Sequence, residues 1–173
     1  KFVIRHRFEA PLARVEAAMF DPELPAFLRA HMKTIVAIEP LERVEENGRV
    51  RRRVKYVPAP LIESIGLKKV DPAWMAWVEE STYDRAAHRL EFRNVPVVGK
   101  VRDLIENGGT LALREAGPAA TERVIEGELR VKVFLVGKIA EKVIYANAGK
   151  ILEDEARALA AFLAASARPT GRA

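Results

Sequence analysis

A long strand that runs straight into one very long helix closes this chain, and few folds accommodate that ending. Residues 121–136 read TERVIEGELRVKVFLV, a single Gly137 follows, and an unbroken helical pattern runs from Lys138 to about Ala165. At 1.5 Å of rise per residue such a helix is about 40 Å long, the width of a small domain. Ending a chain otherwise rich in strands, it predicts a curved sheet gripping the helix with a cavity between them. Val143, Ile144, Ile151, Leu159, Phe162 and Leu163 recur at three-to-four spacing and form its buried stripe. Asn147 and Glu155 lie on or beside that stripe. Polar groups on an apolar face need partners, so two readings stand for them: bonds to a neighbouring strand, or contact with the head of a bound ligand.

The rest of the chain supplies the sheet. Phe2, Ile4, His6 and Phe8 alternate with Val3, Arg5, Arg7 and Glu9, the pattern of a half-buried strand. Pro11 opens a helix through Phe20, and Asp21-Pro22 opens a second short one with Leu24, Phe27 and Leu28 as its buried set. Strands at 34–45 and 49–57 pair around Asn47-Gly48, a strong hairpin signal. Strands at 76–84 and 88–95 form a second hairpin, and 109–115 with 121–136 a third. Asn107-Gly108-Gly109 reads as a turn, and Gly127 as a bulge or bend within the last strand. The order β-α-α-β6-α, with hairpin pairing, predicts an α+β fold: a curved antiparallel sheet around the C-terminal helix. Residues 1–165 are expected to form one domain and 166–173 a flexible tail.

Composition narrows the chemistry. The chain has 173 residues and no cysteine, which removes disulfides, thiolate catalysis and cysteine-bound zinc together. His6, His31 and His88 have no metal-ligand spacing, so neither a metal nor a cofactor is expected. His6 points inward and reads as a satisfied core residue. Ser64, Ser81 and Ser166 lack a nucleophile-elbow pattern, and no glycine loop cradles a phosphate. Catalysis finds no support in these motifs. The net charge is +5, with Arg49, Arg51, Arg52, Arg53 and Lys55 crowded on one strand. That strip reads either as a phosphate-touching surface or as a solvated face balanced by Glu42, Glu45, Glu46 and Glu63. No aromatics interleave with it, which argues against nucleic acid. No apolar run is long enough to span a bilayer and no signal-peptide pattern is visible. The expectation is a cytoplasmic protein, with peripheral contact to an anionic membrane.

The connection at 58–72, PAPLIESIGLKKVDP, is long for a compact domain. Leu61, Ile62, Ile65 and Leu67 followed by Lys68 and Lys69 suit a lid that dips into an anionic membrane surface. A short amphipathic helix on the sheet edge is the other reading. Trp77, Glu79, Ser81 and Tyr83 share one strand face, with Trp77 as cavity lining or core. Tyr145 is rotated about 200° from Asn147 and is the weaker cavity candidate.

The order of elements, with two short helices after the first strand and a long final helix, resembles the helix-grip fold of the START/Bet v 1-like superfamily. The likeness covers nearly the whole chain, and residues 129–144 (LRVKVFLVGKIAEKVI) resemble the strand-to-helix junction of a bacterial branch. Trp77-Val-Glu-Glu-Ser-Thr-Tyr-Asp84, with Leu90-Glu91-Phe92, is similar to a strand pair of the PRELI/MSF1 phospholipid transfer proteins. Ala146-Asn147-Ala148-Gly149-Lys150 is similar to that family's S-N-A-x-K segment. The resemblance implies non-catalytic binding or transfer of an amphipathic lipid such as an anionic phospholipid, without a cofactor. It implies Asn147, Lys150 and Arg53 as head-group contacts, joined by the inward candidates His6, Trp77, Val143 and Ile151. A polyketide cyclase/aromatase-like enzyme on the same fold is the alternative, with His6 or Glu155 as general base. A partner-binding module with a vestigial cavity is a third.

Overall fold

Period-two alternation carries seven segments into one antiparallel sheet. The computed structural model describes residues 1–60, 64–65, 68–69, 75–132 and 137–166, with 64–65, 68–69 and 137–143 as backbone alone. Its elements are β1 (Phe2–Phe8), α1 (Leu12–Met19), α2 (Leu24–His31), β2 (Ile35–Glu46), β3 (Arg49–Pro58), β4 (Ser64–Ile65), β5 (Lys68–Lys69), β6 (Trp77–Asp84), β7 (Arg89–Pro96), α3 (Gly99–Arg102), β8 (Ile105–Glu115), β9 (Thr121–Val131) and α4 (Gly137–Ser166). The sheet order is β1-β9-β8-β7-β6-β3-β2, and every neighbouring pair is antiparallel. Asn47 (φ 51°) and Gly48 (φ 74°) both occupy the left-handed region, as a two-residue hairpin turn between twisted strands requires. On the concave side α4 packs against β9, α1 and α2. This is the helix-grip arrangement.

Three local expectations change. Asn107, Gly108 and Gly109 are not a turn but the middle of β8, paired to both β7 and β9. Gly127 carries no bulge, since its register is unbroken on both sides. Both glycines serve close approach instead: a Cβ on Gly109 would lie 2.1 Å from the Glu126 carbonyl oxygen, and one on Gly127 2.5 Å from the Phe2 ring. Where the 58–72 connection is described it forms a small antiparallel pair, β4 with β5, rather than a helix. Leu61, Ile62 and Leu67, the side chains of Ile65, Lys68 and Lys69, residues 133–136 and the tail at 167–173 lie outside the described residues.

The core joins Val15, Met19 and Phe20 of α1 and its C-terminal end, Leu24 and Leu28 of α2, inner-face strand residues, and Leu159, Phe162 and Leu163 of α4. One polar lock holds the helix in register. Asp154 is buried on α4 and accepts from Lys33 N–H at 2.7 Å, Thr34 N–H at 2.9 Å and Thr34 Oγ1 at 2.8 Å. It thereby ties α4 to the α2–β2 connection. Burial pushes its carboxyl pKa up, but the bonds from Thr34 and Lys33, with the charge of Arg157, outweigh burial and hold it below the usual value.

Asp154→Ala is expected to lower folding stability by about 3 kcal/mol, the range for hydrogen bonds to a buried charge. A depressed carboxylate stabilises fully above its unfolded pKa, about 3.9, and that contribution is lost as pH falls through the folded value. Denaturant unfolding at pH 7 and at pH 3 should therefore show the gap between wild type and variant shrinking at the acid end.

Candidate functional site

Strand register sorts the inner face into rows. One row reads Ile4, Ile125, Leu111, Leu90, Tyr83 and Val50 across six strands. All but the half-buried Ile4 are buried, and all six belong to or pack against the core. The next row reads Phe2, Gly127, Gly109, Phe92, Ser81 and Arg52. Its two glycines carry no side chain, and the room is taken up by neighbours: the Phe2 ring lies against Gly127 and the Glu126 backbone against Gly109. The third row reads Leu129, Asn107, Asn94, Glu79 and Val54. Beyond it Tyr56 and Trp77 stack with ring centroids 5.4 Å apart. From row to row the inner face thus changes from packed apolar side chains to polar and aromatic ones. A cavity of about 270 Å³ opens between β1 and α4, lined by Phe2, Ile4, Tyr145, Ala148 and Gly149. That volume is just below the 300–1,000 Å³ common for small-molecule sites.

Two arginines face the helix, and each is already paired. Arg123, 2% exposed, forms a two-pronged ion pair with Glu155 of α4, Nη2–Oε2 2.5 Å and Nη1–Oε1 3.0 Å. Arg52 donates to Ser81 Oγ at 3.2 Å and to Glu79 Oε1 at 3.3 Å. Burial works against the Arg52 charge, but Glu79 holds its pKa above the usual value. Burial also raises the Tyr56 phenol, with Glu79 acting in the same direction, so the hydroxyl stays protonated at neutral pH. Asn94 and Asn107 face each other across β7 and β8, and the buried Oδ1 of each has no hydrogen-bond partner.

His6 sits beside the first ion pair. Its Nδ1 accepts from Arg123 Nη2 at 3.1 Å, which places the ring proton on Nε2. Nε2 lies 3.3 Å from Glu153 Oε1, near enough for attraction but without the alignment of a hydrogen bond. Burial and then the Arg123 charge lower the His6 pKa, while Glu153 and Glu155 pull it back.

The sequence candidates land in different places. Asn147 is half-buried and makes no hydrogen bond among the described residues, Lys150 is exposed, and Ile151 packs partly buried on the core. On a helical projection Glu155 lies mid-stripe, with Asn147 and Tyr145 each about 80° to either side. Tyr145 lines the cavity and bonds to the backbone of Leu129, donating to its carbonyl and accepting from its N–H at 3.0 Å. Trp77 is half-buried in the aromatic floor. The Val143 side chain lies outside the described residues. Arg53 needs correction: it projects from the outer face, 3.4 Å from Glu80 and 4.0 Å from Glu42. Strand parity explains this, because Arg52 falls between the buried Val50 and Val54 and Arg53 does not. The same parity would have found Arg123 between Thr121 and Ile125. The outer face itself carries an open groove of about 520 Å³ along the charge ladder Glu42, Arg53, Glu80 and Arg93. Alternating exposed charges without an apolar wall make it a solvated surface rather than a container. No cluster suited to a metal occurs among the described residues, and no described helix is long and apolar enough to cross a membrane.

A family described as "Protein of unknown function (DUF2505)" matches residues 4–163. The chain belongs to that family. No curated protein matches its sequence. Among solved structures, the family member is similar to TTHA0849 from Thermus thermophilus, with TM-score 0.67 and 20% identity over 96% of this chain and 98% of that one. It is similar to the Zhui aromatase/cyclase from Streptomyces sp. R1128, with TM-score 0.65 and 13% identity over 99% and 98%. It is also similar to a START superfamily protein from Mycobacterium smegmatis, with TM-score 0.56 and 14% identity over 95% and 97%. At these identities the likeness establishes the helix-grip fold and no activity.

A base whose folded pKa is depressed stabilises the fold fully above its unfolded value, about 6.5 for histidine, and loses that contribution as pH falls through the folded value. An NMR titration should therefore place the His6 midpoint below 6.5. Glu153→Gln should lower it further by removing an anion that favours the imidazolium. A midpoint at or above 6.5 would contradict the burial and the Arg123 contact.

Proposed function

We propose that this protein binds an amphipathic lipid between the sheet and α4 and carries it without chemical change. The observation that supports this reading most directly is the cavity between β1 and α4, lined by Phe2, Ile4, Tyr145, Ala148 and Gly149, beside an inner face that turns from apolar to polar and aromatic side chains. An apolar tail in that space gains about 0.8 kcal/mol for each methylene removed from water. The anionic-phospholipid form of the reading rests on the likeness of residues 77–84 and 146–150 to the PRELI/MSF1 proteins. Of its three head-group contacts, Arg53 faces away from the helix and Lys150 is exposed. The geometry therefore favours the amphipathic class without a phosphate.

The polyketide cyclase/aromatase alternative draws on a specific observation. Tyr56, Glu79, Arg52 and Glu155 lie close enough to influence one another's charge inside the fold, and convergent titratable groups are what such chemistry uses. The two readings separate on a reactive poly-β-ketone substrate. Conversion to an aromatic product above the protein-free rate, lost in a Glu155→Gln variant whose circular dichroism and thermal unfolding remain those of the folded protein, would favour the enzyme.

The carriage reading is tested by native mass spectrometry of protein purified from cells and by uptake of lipid from liposomes. Bound lipid is expected, and consistently empty protein with no uptake would overturn it. Gly149 lines the cavity, and a Cβ there meets nothing within 4 Å. Gly149→Leu should thus fill the cavity, keep the helix or strengthen it by about 1 kcal/mol, and reduce lipid uptake several-fold.

A further inference from the structure

The carriage reading leaves open which polar group meets the inner face, and the third row of the sheet addresses that. Asn94 and Asn107 are directly opposed across β7 and β8. Each turns a buried Oδ1 toward no partner. A buried carbonyl oxygen left without a donor is costly, and native structures leave few such atoms without a reason. Two of them side by side form a matched pair of acceptors. Their cross-strand neighbours are Glu79 beside Asn94 and Leu129 beside Asn107, with no side chain at Gly109 in the preceding row.

The charges around this pair select against an ionic head. Among the described residues of the inner face and the helix above it, Arg52 is paired with Glu79 and Arg123 with Glu155. His6 is held neutral beside Arg123. Among the described inner-face residues no cation is left unpaired for a phosphate or carboxylate and no anion for an ammonium; Lys150 of α4 is exposed. A charged head would lose its hydration with nothing to offset the loss. A hydroxyl meets the site better, because it donates to a carbonyl oxygen and can accept from an amide N–H in return.

Resting on the carriage reading, we propose that Asn94 and Asn107 bind the uncharged, hydroxyl-bearing head of the carried lipid, one hydroxyl to each amide. The tail then runs toward the cavity between β1 and α4.

Isothermal titration calorimetry on the intact chain tests this with one alkyl chain and varied heads: decane-1,2-diol, 1,2-dimethoxydecane, decanoate, decyl phosphate and decylamine. The diol is expected to bind at least tenfold more tightly than each of the others. Asn94→Leu/Asn107→Leu preserves side-chain size and removes both unpaired carbonyls, so thermal stability should hold or rise while diol affinity falls at least tenfold toward that of the dimethyl ether. If the double variant does not fold, each single variant should lose affinity for the diol and not for the ether. Tighter binding of decyl phosphate, decanoate or decylamine than of the diol would overturn the uncharged head. Unchanged diol affinity in the Leu variants would mean that water satisfies the two carbonyls, and would overturn the assignment to Asn94 and Asn107. Binding of none of the five compounds, together with lipid-free protein from cells, would overturn the carriage reading and this inference with it.

Discussion

The contact on which the rest of the structure depends is the buried ion pair between Arg123 of β9 and Glu155 of α4. Removing either partner of such a pair leaves an uncompensated charge in the interior, a loss of about 3–5 kcal/mol. That penalty makes the crossing point of helix on sheet hard to move. Asp154, one residue earlier, adds a second anchor through Thr34 and Lys33. Together they pin the middle of α4. On one side Leu159, Phe162 and Leu163 close the core. On the other lies the cavity between β1 and α4.

Charge is arranged differently on the two faces of the sheet. Outside, Glu42, Arg53, Glu80 and Arg93 alternate across four strands in solvent, where exposed pairs contribute little. Inside, Arg52 and Arg123 each meet one carboxylate, and the buried side-chain atoms left without a hydrogen bond among the described residues are His6 Nε2 and the Oδ1 atoms of Asn94 and Asn107. An interior of balanced charge and unpaired amides suits an uncharged polar group better than an ion. The strip of arginines that looks uniform along β3 is therefore split by the pleat, with Arg52 structural on the inner face and Arg51 and Arg53 solvated on the outer.

Most of the architecture was legible because period two and period 3.6 are local properties. The strand at Phe2–Phe8, the Asn47-Gly48 hairpin and the long helix all follow from residues within one element. Asn107-Gly108-Gly109 was misread because its dipeptides favour turns, whereas neighbouring strands that approach too closely for a Cβ draw the same glycines into β8. The site was less legible for the same reason. His6, Trp77 and Ile151 could be assigned to the inner face from alternation or helical spacing. Arg123's partner lies 32 residues away on another element, and the opposition of Asn94 to Asn107 exists only once β7 and β8 pair.

The sequence by itself determined the α+β class, the order of the elements and the parity that decides which residue of each strand looks inward. Those depend on backbone periodicity and turn chemistry, which act over a few residues. Only the tertiary structure decided which inward residues meet: that Arg123 finds Glu155, that Gly109 and Gly127 pair where neighbours press close, and that two amide oxygens are left facing each other unpaired. Register between strands and the placing of one helix across them set those meetings, because partnership between side chains is a matter of distance in space.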